Sequence, residues 1–212
     1  VIITVDGPAA SGKGTLAKKL AAHYGLPHLD TGLLYRGVGY LMLEGNHALD
    51  DVAAAARIAQ ELDLAKLDHE KLRSDAIGEA ASRVAALPGV RAALLKMQQD
   101  FARQEKGAVL DGRDTGTVIA PDADVKIFVT ASPEERARRR HIELATRQTP
   151  VEYCAVISDI KKRDERDSER SIAPLKPAPD AVLLDTTQLD IEAAFRAALS
   201  IVEAPRAGRT RS

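Results

Sequence analysis

The sequence predicts an α/β protein built on a doubly wound, five-stranded parallel sheet. Three observations carry that prediction. Five short apolar runs, at 1–5, 28–30, 108–110, 125–129 and 182–184, alternate with stretches of helical periodicity. The first of them, Val1 to Val5, is an unbroken β-branched run, as expected of a strand buried on both faces. A Gly-rich turn follows it at once and opens into a helix. In such sheets, ligands sit beyond the C-terminal strand ends.

The elements follow in order. The first helix is expected over 13–23, and a short strand at His28–Asp30. Helices are predicted at 32–44 and 51–62, the second with Asp50 as N-cap and Val52, Ala55, Ile58 and Leu62 on one face. Residues 63–88 read as helical with less regularity. Val90, Leu94, Met97 and Phe101 then mark an amphipathic helix. Ala108–Leu110 is a buried strand ending in Asp111, and Val125–Val129 is another. Ser132-Pro-Glu-Glu135 starts a helix with a capping box and proline at its first position. Thr149-Pro-Val-Glu152 repeats the device for a helix reaching about Arg166. After the strand Val182–Leu184, a closing helix carries Ile191, Phe195, Leu199 and Val202 on one face. The tail 204–212, with Pro205, Gly208 and three arginines, is expected to be disordered.

With 212 residues, one substantial domain is the default. The aromatic share is 3% with no Trp, which argues against stacking platforms for single-stranded nucleic acid. A net charge of −1 gives no general attraction to polyanions, yet arginines crowd 136–170. Cys154 is the only cysteine, so no intramolecular disulfide or Cys-rich metal site can form. No apolar run is long enough for a membrane span, and residues 1–6 read as a strand rather than a signal segment. A cytoplasmic monomer is the expectation, with no nucleic-acid or membrane partner.

The strongest chemical signal is Gly7-Pro-Ala9-Ala10-Ser11-Gly12-Lys13-Gly14-Thr15. Glycines at 7 and 12 let the backbone turn tightly and aim N–H groups at phosphate oxygens. The following helix adds its positive N-terminal end, and Lys13 can reach β and γ phosphates. Strand before and helix after make this a nucleotide phosphate loop. Gly14 stands where Ser or Thr is usual, so the magnesium-facing hydroxyl falls to Thr15, with water between them where needed.

Three further clusters address a second substrate. Asp30-Thr31-Gly-Leu-Leu-Tyr-Arg36 brings a hydroxyl and an arginine to the end of the second strand. Asp111-Gly-Arg113-Asp114-Thr-Gly116 follows the third buried strand, where Asp111 can bind magnesium or its waters. In Arg163-Asp-Glu-Arg166-Asp167-Ser-Glu-Arg170, helical spacing puts Arg163, Arg166, Asp167 and Arg170 on one face. Alone, such a run is more often a solvated surface. With Arg136, Arg138, Arg139 and Arg140 it reads as a set of charges that close over phosphates and exclude water.

In this order the four motifs resemble the bacterial cytidylate kinase family, from the first strand to about Val202. The resemblance implies a P-loop kinase with a helical monophosphate-binding insert at 31–100 and an Arg-rich lid at 136–170. The core would comprise 1–30, 101–135 and 178–203. It also implies ATP and Mg²⁺ as cofactors and CMP, with dCMP, as acceptor. Thr31, Arg91 and Asp114 match family positions around cytosine; Ser82, Arg163 and Asp167 those around ribose; Arg36, Arg113 and Arg170 those around the monophosphate. Lys13, Arg113, Arg139 and Arg170 are the expected catalytic charges. A carboxylate accepts from the cytosine amino group, whereas uracil would turn an oxygen toward it. Family members often carry Ser where Thr31 stands, and many have a longer insert where 46–80 is compact here.

The attacking phosphate oxygen is already anionic, so none of the histidines at 23, 28, 47, 69 and 141 is expected to act in catalysis; each reads as surface or cap. Three other readings compete: a kinase of another small acceptor such as shikimate, a GTPase-type switch, and an RNA-binding module. The chain lacks the Asn-Lys-x-Asp guanine-reading motif, which disfavours the second. The low aromatic content disfavours the third.

Overall fold

The computed structural model describes residues 1–146 and 151–204. Five parallel strands form one sheet: β1 Ile2–Asp6, β2 His28–Asp30, β3 Ala108–Gly112, β4 Val125–Thr130 and β5 Val182–Asp185. Their order is β2-β3-β1-β4-β5. From central β1 the chain runs out to β2, returns to β3, and crosses to β4 on the far side. The C-terminal end of β1 is therefore the switch point, where a ligand crevice opens.

The helices are α1 Lys13–Tyr24, α2 Thr31–Glu44, α3 Val52–Gln60, α4 Asp75–Val84, α5 Pro88–Ala102, α6 Pro133–Thr146, α7 Tyr153–Glu169 and α8 Ile191–Glu203. Strand alternation divides the core. Ile3, Val5, Val109 and Ile127 pack with Leu16 and Leu20 of α1 and Ala198 of α8. Ala108 and Leu110 face the opposite way, toward Ala102 and Ile119. Helices α2 to α5 share their own apolar cluster, including Leu34, Val38, Ala55, Val84 and Leu94. A smaller one, Ala137, Leu144, Val156 and Ile160, joins α6 to α7.

Several local expectations change. Asp51, not Asp50, caps α3, accepting from the Ala54 N–H at 3.0 Å. Its buried residues are Ala54, Ala55 and Ala59, and Val52 lies exposed. Residues 63–74 hold two tight 3₁₀ turns, Leu64–Lys66 and Lys71–Arg73, before α4. Asp63 accepts from the Ala65 N–H and Asp68 from the Glu70 N–H. Such side-chain-to-backbone bonds compete with a continuous helix. On α5, Gln98 rather than Met97 is buried, its amide donating to the Leu94 carbonyl at 2.9 Å. Ile191 is exposed, and α8 buries Ala194 and Ala198 instead.

Ser132 Oγ accepts from the Glu135 N–H as the capping box requires. The Glu135 carboxylate does not return the bond; it accepts from Arg138 and Arg139. The predicted cap at Thr149-Pro150 and the tail 205–212 lie outside the described residues. The last helix of that region begins at Tyr153.

Candidate active site

The turn after β1 has the geometry that a phosphate requires. A Cβ on Gly7 would stand 2.1 Å from the Val129 carbonyl oxygen, so only glycine lets the turn pass this close to β4. Gly12 has φ 89° and Ala10 φ 58°, both in the left-handed region, and for Ala10 that is a strained conformation. The Ser11 hydroxyl is buried with no hydrogen-bond partner. An orphaned buried hydroxyl in a glycine-bearing turn at a helix N-terminus fits an anionic ligand. Lys13 Nζ donates to the Pro8 carbonyl at 3.3 Å. Burial, with Arg113 nearby, pushes its amine down to about 7. Thr15 is exposed in the first turn of α1.

Asp111, one residue before the end of β3, lies beside this loop. Its Oδ1 is 2.7 Å from His28 Nε2, while Oδ2 lies 3.5 Å from where a Gly14 Cβ would be. Asp30, the register partner of Asp111, has its carboxyl pushed up by burial and by the Asp111 charge. Thr31 donates to the Asp111 carbonyl at 2.8 Å. His28 is thus neither surface nor cap: β2 aims it under the Asp111 carboxylate. None of the other four histidines lines a cavity of this site. Among the described residues, no three His, Cys, Asp or Glu side chains form a metal-ligating set. Two hard oxygen donors, Asp111 Oδ2 and Thr15, fit a cation such as magnesium that keeps water and phosphate ligands.

Beyond Asp111, the predicted acceptor residues converge. Thr31, Ser82, Arg91, Arg113, Asp114, Arg163, Asp167 and Arg170 line one cavity of about 40 Å³, and Tyr35 joins them. Arg36 stands at its edge: a Cβ on Gly78 would meet both Arg36 Nη2 and Arg163 Nη1. Its guanidinium donates to the Leu72 and Ser74 carbonyls. Arg91 pairs with Asp114 Oδ2 and lies 5.4 Å over the Tyr35 ring. Arg113 Nε donates to Asp167 Oδ2 at 2.8 Å, and Ser82 Oγ to Asp167 Oδ1 at 3.1 Å. Burial alone would raise the Asp167 carboxyl; Arg113 and Arg163 hold it below the usual range. Arg163 Nε has no partner, and burial beside Arg113 lowers its guanidinium to about 10. Under-neutralised cations in one crevice call for an anion.

Arg170 follows the last residue of α7 in extended conformation, so it does not continue the helical face. Its side chain still turns inward, 3.8 Å from Asp114 Oδ1. Arg166 points away and pairs with Glu79 at 2.8 Å.

Two of the α6 arginines, Arg136 and Arg139, tie the helix to the phosphate loop; Arg138 pairs instead with Glu135, and Arg140 with Asp75 and Glu143. Arg136 grips Asp164 with bonds of 2.9 and 2.5 Å and donates to the Ala9 carbonyl. Arg139 donates to the Ser11 carbonyl at 3.4 Å, and to Thr186 Oγ1 and its carbonyl at 3.1 and 2.6 Å. Next to it opens a groove of about 640 Å³ walled by Glu135, Arg138, Thr187 and Leu189. Nothing in the sequence pointed to this groove, because its walls come from α6 and the turn after β5, distant in the chain.

With the geometry in place, comparison with known proteins decides the family. The model of the cytidylate kinase family matches residues 3–204. The chain belongs to the cytidylate kinase family. It is 61% identical to a cytidylate kinase of Rhodopseudomonas palustris (strain TIE-1) over 211 residues, covering 100% of both chains. It is 64% identical to one from Xanthobacter autotrophicus over 209 residues, covering 99% of this chain and 100% of that one. A crystal structure of an uncharacterized protein from Eubacterium ventriosum aligns with TM-score 0.54 at 16% identity, covering 97% of this chain and 99% of that chain, a likeness of fold.

Proposed function

We propose that the chain transfers the γ-phosphoryl group of ATP to CMP, and to dCMP, giving ADP and the diphosphate. The observation that carries this reading is the Arg91–Asp114 pair in a cavity that also holds Arg113 and Arg163. Such a cavity offers a carboxylate to a cytosine amino group and cations to a phosphate. The family membership supports the same acceptor.

In this reading the loop Gly7 to Thr15 holds the donor phosphates, with backbone N–H groups and Lys13 against the β and γ oxygens. Thr15 and Asp111 would hold magnesium through water, and that ion would neutralise charge on the donor phosphates. Ser82, Arg163 and Asp167 take the ribose, and Arg36, Arg113 and Arg170 the monophosphate. The donor base takes the groove beside Arg138, whose neighbour Arg139 reaches the phosphate loop at the Ser11 carbonyl. Catalysis is positioning and charge neutralisation by Lys13, Arg113, Arg139 and Arg170, with no general base. The helical part 31–100 and the lid 136–170 act as moving bodies on a fixed core, in a monomer of the cytoplasm. No helix among the described residues is long and apolar enough to cross a membrane.

A coupled ADP-release assay with CMP, dCMP, UMP, AMP and shikimate tests the reading. CMP turns over best if it holds. Turnover of shikimate with CMP inert would leave the phosphate loop standing and overturn the acceptor assignment.

A further inference from the structure

We propose that His28 is a positioning residue for phosphoryl transfer: it commits one Asp111 oxygen to its ring and so aims the other at the phosphate loop. The proposal rests on the reading of Asp111 as an anchor for magnesium-bound water.

The geometry begins with strand register. His28 pairs with Val109 and Asp30 with Asp111 across β2 and β3. Residues two apart on a strand share a face, so His28 lies one step below the two carboxylates. Val109 on that face packs with Leu16 and Leu20 of α1, which identifies it as the face that α1 covers. Asp111 is buried and His28 nearly so, with side-chain exposures of 4% and 16%. A carboxylate is free to turn about its last bond. With Oδ1 held at 2.7 Å by Nε2, Oδ2 is left against Gly14, at the first turn of α1. The Asp30 carboxylate crowds Asp111 from the register position, and its charge repels that of Asp111. Without the ring, repulsion and thermal rotation would let Asp111 swing away from the loop. Groups that orient a ligand from behind typically matter 10- to 100-fold in metal affinity or activity, an order-of-magnitude guide of about that size.

Two variants separate positioning from packing. His28→Leu keeps the bulk and loses the donor; His28→Gln restores an N–H at a reach close to Nε2. ATP affinity is measured by calorimetry for both and for wild type, with magnesium and with EDTA, and thermal unfolding is recorded alongside. In His28→Leu, the gain in ATP affinity on adding magnesium is expected to shrink roughly tenfold, with affinity in EDTA unchanged. His28→Gln should recover most of the gain. A full magnesium gain in His28→Leu overturns the proposal, and so does an equal loss with and without magnesium, or equal loss in both variants. Should His28→Leu not fold, His28→Gln is set against His28→Asn, whose shorter amide cannot reach; matching magnesium gains in these two overturn the proposal. Wild-type ATP binding that magnesium does not strengthen would instead remove the functional reading beneath it.

Discussion

Arg113, the residue after β3, donates to Asp167 on α7 at 2.8 Å, across the cavity that both residues line. Asp167 also accepts from Ser82 of α4. Three separately packed parts of the molecule thus meet on one carboxylate. An arginine expected to hold a phosphate is here held by protein.

That relationship predicts motion. The cavity is about 40 Å³, whereas small-molecule sites run to roughly 300–1,000 Å³. An acceptor can enter only if α4 and α7 separate and Arg113 exchanges Asp167 for phosphate. Amide hydrogen exchange over 75–84 and 153–169 should change on adding CMP, and change again with an ATP analogue. Unchanged exchange in both segments would contradict the account.

Arg113 carries charge into the transfer step. Arg113→Met should lower kcat by roughly 10²–10³-fold, the typical loss when one oriented donor to developing charge is removed. ATP affinity should change less than kcat, because Arg113 reaches the phosphate loop only through its charge on Lys13. Steady-state kinetics with a thermal unfolding control checks this, since Asp167 loses its partner. An unchanged kcat would remove Arg113 from the catalytic set.

Asp6 gives a stability prediction with a definite sign. It is buried at the end of β1 and accepts from the N–H and hydroxyl of Thr115 and from the Gly116 N–H. Burial outweighs those bonds and pushes its carboxyl up to about 6. A folded-state value above the unfolded one means that its contribution is full below about 3.8 and lost as pH rises through 6. Asp6→Asn, which mimics the protonated form, should lack this loss. Between pH 4 and pH 7 wild type should lose about 2 kcal/mol relative to Asp6→Asn in urea unfolding. A relative gain with rising pH would show the carboxyl held down instead.

The strands were legible because a buried parallel strand needs β-branched, apolar residues, and Val1 to Val5 has little else. The phosphate loop was legible because its backbone path admits few residues. Residues 63–74 were not, since Asp63 and Asp68 divert backbone bonds to their own side chains. Met97 misled because polarity suggested it for the core, yet Gln98 could be buried by bonding its own helix. His28 was missed for a different reason. Its role comes from Asp111, which only β2–β3 pairing brings beside it. Arg170 was placed on a helix by spacing, but α7 ends one residue earlier. Its charge reaches the cavity all the same.

The most direct test of the account is the ratio of CMP to UMP turnover, as kcat/KM, in wild type and in Asp114→Asn. If Asp114 reads the cytosine amino group, wild type favours CMP by at least ~100-fold. Asp114→Asn, whose amide can donate to the uracil oxygen, should then lose most of that preference. A wild type that uses both equally, or a variant that keeps the wild-type ratio, would contradict the assignment of Asp114 and with it the proposed acceptor site.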